Sequence, residues 1–166
     1  MGYTAIPGGD IWLQIGTTQT PTSGSSVSFT SIPPVKKLRI LVNSVTQTAS
    51  SRMVLVFNND TGAKYTYAWN GVVAQITASS SNLGEVRLGR AAGTNIICDI
   101  ELDYANQACP KLIQGMADNK AANGDTMNQI WGNYFSTDSI NRIDVVSSTS
   151  TFAAANTGTI AIYGAF

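Results

Sequence analysis

Residues 94–104, TNIICDIELDY, alternate so regularly that they leave the chain few folds to choose from. Successive side chains of a strand point to opposite faces. Ile96, Cys98, Ile100, Leu102 and Tyr104 therefore share one face, and Ile97, Asp99, Glu101 and Asp103 share the other. One apolar face and one mostly acidic face mark an antiparallel strand with one side in a core. Weaker versions of the pattern recur at 10–16, 25–32, 36–45, 53–58, 64–69, 110–116, 129–135, 141–148 and 158–166. In segment 25–32 the inward set is Val27, Phe29 and Ser31, and Pro33 and Pro34 then stop the strand because proline cannot donate to a ladder. Helical periodicity is scarce. About ten short strands separated by turn residues predict an all-β chain, an antiparallel β-sandwich of jelly-roll type. Residues 47–51, 78–82 and 116–128 are expected as loops, the last projecting from the domain.

At 166 residues the chain is sized for one domain. We assign residues 10–166 to the sandwich and residues 1–9, MGYTAIPGG, to an N-terminal arm. Fully extended, nine residues reach about 30 Å, enough to cross onto a neighbouring subunit. The competing description is a frayed terminus. Tyr3 and Ile6 are the large apolar anchors of that arm.

Charged residues make up only 12% of the chain, against about 25% in ordinary domains. Ten basic residues balance ten acidic ones, so the basic stripe of a nucleic-acid binder is missing. No run approaches the roughly 20 apolar residues of a membrane helix. The start lacks the basic and apolar regions of a signal peptide, so the chain is expected to be made and kept in the cytoplasm. In that compartment Cys98 and Cys109 are expected as thiols, Cys98 in the core.

Catalysis finds little support. The chain has no histidine, which removes the commonest general base and every triad built on it. Paired-cysteine metal patterns and phosphate-cradling glycine loops are missing as well. Ten carboxylates could in principle supply a glycosidase pair, but nothing in the pattern selects two of them. We expect no enzyme activity, no cofactor and no metal.

The stretch NNDTGAKYTY, 58–67, looks at first like a calcium loop. It fails that test, because the twelfth position counted from Asn58 is Trp69 and not a bidentate acid. Asn, Asp and Gly tolerate positive φ, and Asp bonds its own backbone two residues on, so a hairpin turn is the better description. Tyr65, Tyr67 and Trp69 then alternate onto one face, in the core or at an interface. The row Asp99, Glu101, Asp103 is expected as a solvated sheet face. The same alternation turns Leu41, Val54 and Val56 outward, and apolar side chains on an outer sheet face mark an interface. Trp69 beside Asn70 and Gly71, and Trp131 beside Gly132, are the aromatics placed to stack on a sugar.

Four blocks in order resemble a known family: SVSFTSIPPVKKLRILVNSV, MVLVFNNDTGAKYTY, IELDYANQACPK and the terminal STDSINRIDVVSSTSTFAAANTGTIAIYGAF. They resemble single-domain jelly-roll virion proteins of tailed bacteriophages, found as head decoration or minor structural proteins and as modules of tails and fibres. The resemblance implies a virion location. Its implied partner is the major capsid protein, and its implied assembly is a homotrimer on the head lattice. The alternative it carries is a receptor-binding or carbohydrate-binding module of the tail. It supplies no catalytic residue.

Overall fold

The computed structural model describes residues 10–49, 51–71, 74–83, 86–91, 95–121 and 124–166, with side chains described outside 69–94 and 119–128. The arm with Tyr3 and Ile6 lies outside the described residues. Twelve strands are present among those described. They are β1 (Trp12–Gln19), β2 (Ser26–Thr30), β3 (Lys37–Val45), β4 (Ser51–Phe57), β5 (Tyr65–Gly71) and β6 (Ala74–Leu83). The second half supplies β7 (Val86–Ala91), β8 (Ile96–Asp103), β9 (Lys111–Ala121), β10 (Gly124–Tyr134), β11 (Arg142–Ser147) and β12 (Thr159–Ala165).

Every strand pairing is antiparallel. One sheet runs β2-β11-β4-β7 and the other β1-β12-β3-β8-β9-β10-β5-β6. The first four strands of the larger sheet and the four of the smaller one have the interleaved order of a jelly roll, in which the chain changes sheet at almost every connection. The hairpins β5–β6 and β9–β10 are additions to that roll. They join through β10 and β5 and widen one sheet to eight strands.

The core lies between the sheets. From the large sheet it takes Leu38, Ile40 and Val42 of β3, Ile96, Cys98, Ile100 and Leu102 of β8, and Ile160 and Ile162 of β12. The small sheet contributes Phe29, Met53, Leu55, Phe57, Ile143 and Val145. On β8 the alternation holds from Ile96 to Asp103. Tyr104 breaks it: the strand has ended, the residue takes φ 63°, and its ring is exposed. Ser31 departs in the same way, with φ 58° and an exposed side chain. Period-2 patterning carries no information past the residue where a strand turns.

The segments 78–82 and 116–128, expected as loops, belong to strands β6, β9 and β10. Ala121 pairs with Gly124, so β9 and β10 form one long hairpin. Two glycines let it pack. A Cβ on Gly115 would come 2.2 Å from the carbonyl oxygen of Asp99, and one on Gly132 would come 2.2 Å from that of Thr66. Neighbouring backbone occupies the space a side chain would need, as happens where a sheet bends sharply.

Lys111, at the start of β9, is fully buried. Its ammonium donates to the carbonyls of Gln107 at 2.6 Å, Cys109 at 2.7 Å and Ser136 at 3.2 Å. Burial pulls its pKa down. Three acceptors for three N–H donors make the buried charge tolerable, and they tie the β8–β9 loop to the segment after β10.

Candidate functional site: the NNDTG corner and the outer face of the large sheet

Residues 58–64 do not make a hairpin. They carry the chain from β4 in the small sheet to β5 in the large one. Asn58 and Asn59 both take positive φ, 53° and 54°, which asparagine tolerates. The Asp60 carboxylate accepts the Gly62 N–H at 2.9 Å, the local bond anticipated for this turn. It also accepts the Tyr134 hydroxyl at 3.0 Å and pairs with the Lys64 ammonium at 2.8 Å. The bond from Lys64 and that from Gly62 hold the Asp60 pKa below its ordinary value against the opposing effect of burial. Asn58 reaches the other way, donating to the Ser139 carbonyl and accepting the Asn141 N–H, both at 2.9 Å.

Behind the corner stand Phe57, Tyr65 and Tyr134, with Tyr65 and Tyr134 stacked at 4.7 Å between centroids. The Tyr65 hydroxyl accepts the Phe57 N–H and donates to the Asp60 carbonyl, each at 2.9 Å. Desolvation raises both phenols, Tyr134 to about 12. The Asp60 carboxylate is thus used in holding the turn and tying it to Tyr134 of the large sheet, and the corner is architecture. Tyr65 and Tyr67 are buried as anticipated. Trp69 pairs through its backbone with Ile130 of β10, and its side chain lies outside the described residues.

The acidic row of β8 is not simply solvated. Arg39 of β3 grips Asp99 with two guanidinium bonds, the Nε one at 2.7 Å. Lys37 lies 3.2 Å from Glu101, 3.4 Å from Asp103 and 3.1 Å from Asp10. The basic cluster and the acidic row therefore complement each other across one strand pair. These carboxylates raise the Lys37 pKa, Asp10 and Glu101 through direct hydrogen bonds, and Asp99 raises that of Arg39.

Beyond the ion pairs the outer face continues in register. Arg39, Glu101, Gln114 and Trp131 form one row across β3, β8, β9 and β10, and Leu41, Asp99, Met116 and Gln129 form the next. All of these but Leu41 line an open depression of about 570 Å³. Trp131 is 42% exposed there. Gln129 is exposed on the same strand two residues away. Gln114 and Gln129 were not singled out by sequence reasoning, and Lys36, Lys37 and Arg39 were read only as a basic cluster on a solvated strand face. The available signal was alternation: Gln129 and Trp131 are two apart on β10, as are Gln114 and Met116 on β9.

The outward apolar set divides. Leu41 is on the outer face, half-buried between Ala161 and Asp99. Val54 and Val56 are not surface residues, at 1% and 6% exposed. Neither belongs to the core cluster, so the alternation assigned their face correctly. It could not say what lies over that face. β4 is an inner strand between β11 and β7, and Val56 stands opposite Asp144, itself buried and held by Arg142 and Ser28. As interface candidates Val54 and Val56 are withdrawn.

Among the described residues no group of three His, Cys, Asp or Glu side chains is placed to hold a metal ion. No protein-family model matches the chain, and no curated protein matches it in sequence.

Proposed function

We propose that this chain is a structural protein of a tailed-bacteriophage virion, a decoration or cement protein that binds the assembled head lattice and works by binding, without catalysis. The observation that carries the reading is the jelly-roll strand order, met by a sequence whose ordered blocks resemble phage virion proteins. Exposed apolar residues support it. Ile11, Leu13 and Phe166 stand near the edge of the large sheet, where Trp12 pairs with Ala165 and, among the described residues, β1 has no further neighbour. An edge strand carrying apolar side chains is one that other chains cover. A protein that binds only the assembled shell stabilises it by mass action. The major capsid protein is the proposed partner and a trimer the proposed assembly. The test is co-sedimentation of the purified chain with undecorated heads, which should show saturable binding at a fixed ratio to the lattice.

A second reading, a receptor-binding or carbohydrate-binding module of the tail, is favoured by one observation: the half-exposed Trp131 beside the exposed Gln129 amide.

A further inference from the structure

We infer that the depression over β8, β9 and β10 is a saccharide-binding site selective for neutral glycans, with Trp131 as the stacking platform and Gln114 and Gln129 as the hydroxyl-reading amides. The inference rests on the second reading above and names its ligand class.

Three features of the depression converge. The first is an aromatic ring offered to solvent. Indole has a flat apolar face that fits the C–H face of a pyranose, and its N–H remains available at the edge. Trp131 is exposed although β10 is an inner strand with β9 and β5 on either side. The second is amide placement. Gln114 stands directly across from Trp131, and Gln129 stands two residues along the same strand as Trp131. Neighbouring strands are about 4.8 Å apart and alternate residues about 6.5–7 Å. A ring on Trp131 therefore places its hydroxyls within reach of both amides; Gln114 gives one N–H to Asp103 at 3.5 Å and keeps its second N–H and its carbonyl for a ligand. From Trp131 to Glu101 is two strand spacings, about 10 Å, which leaves room for a second linked ring. The volume of about 570 Å³ suits such a ligand.

The third feature sets the ligand's charge. Lys37 and Arg39 are the cations of the ion-pair network on this face, and they meet four carboxylates: Asp10, Asp99, Glu101 and Asp103. Arg39, the cation that lines the depression, already has its guanidinium on Asp99. An acidic sugar would find no free cation there and would face excess negative charge at distances shorter than the screening length of about 8 Å. A neutral sugar pays no such penalty.

The test uses the full chain on an array of neutral hexose and N-acetylhexosamine oligosaccharides, printed beside sialylated and uronic-acid counterparts. Titration calorimetry of the captured glycans follows. We expect capture of neutral glycans, loss of affinity of about tenfold or more in Trp131→Ala, a smaller loss in Trp131→Phe, and unchanged thermal midpoints. Should Trp131→Ala fold poorly, Gln129→Ala removes an exposed amide and should still weaken binding. Capture that survives all three substitutions overturns this site but leaves a carbohydrate-binding role standing. Equal capture of acidic and neutral glycans overturns the ligand class. Capture of no glycan removes the site and the second reading together, and leaves the head-lattice reading to its sedimentation test.

Discussion

At Asp60 three donors converge on one carboxylate: the Gly62 N–H, the Lys64 ammonium and the Tyr134 hydroxyl. Asp60→Asn removes the ion pair with Lys64 and puts an amide N–H where one of these bonds needs an acceptor, so it should cost about 1–3 kcal/mol. The pH dependence follows from the direction of its pKa. The folded value lies below the ordinary 3.8. The stabilisation is thus complete above the unfolded pKa and is lost as pH falls through the lower folded value. Denaturant melts between about pH 5 and pH 2 should show wild type losing stability more steeply than Asp60→Asn. Parallel slopes would mean that the carboxylate does not hold the corner. Cys98 offers a second test at this scale. It is 2% exposed, and burial raises its thiol pKa. It should resist alkylation in the native protein and react on unfolding, while Cys109, partly exposed, labels first. Fast native labelling at Cys98 would contradict the register of β8 on β3. Which face of β8 is buried was legible from the sequence, because one face is apolar and the other charged; its pairing with β3 was not.

The elements were legible in proportion to the apolar contrast between their faces. β3, β8 and β12 carry Ile, Leu and Val on their core faces and were found with nearly their true limits. The outer halves of β9 and β10 carry no such contrast. Gly115 and Ala117 stand where a core strand would carry large side chains, and MADNKAANGDTMN has no large aliphatic or aromatic residue besides two methionines. The same economy of side chains makes the hairpin sensitive to small additions. Gly115→Ala and Gly132→Ala each force a methyl group against backbone, at Asp99 and Thr66 respectively. Both should destabilise by about 1–3 kcal/mol or more. A surface control such as Gln129→Ala should change the denaturation midpoint little. Midpoints unchanged in both glycine variants would mean that the large sheet does not bend there. The NNDTG corner shows a different limit. Its turn chemistry could be read from Asn, Asp and Gly, but a change of sheet could not, since it depends on which distant strands β4 and β5 join.

For the whole molecule, the jelly roll leaves two surfaces with unspent chemistry: the apolar edge at Ile11, Leu13 and Phe166, and the depression at Trp131. The sequence pointed to the second through Trp131 and missed the amides beside it, because cross-strand neighbours become visible only once pairing is known. The head-lattice reading assigns the first surface to the capsid. Replacing Leu13 with Asp adds a charge to an exposed edge position, 53% open, so the isolated chain should keep its melting point. The decisive measurement is sedimentation of undecorated heads with wild-type and Leu13→Asp chains at limiting concentration. The account predicts saturable wild-type occupancy at a fixed ratio to capsid subunits, and occupancy reduced about tenfold or more in the variant. A wild-type chain that stays in the supernatant at every concentration would contradict it.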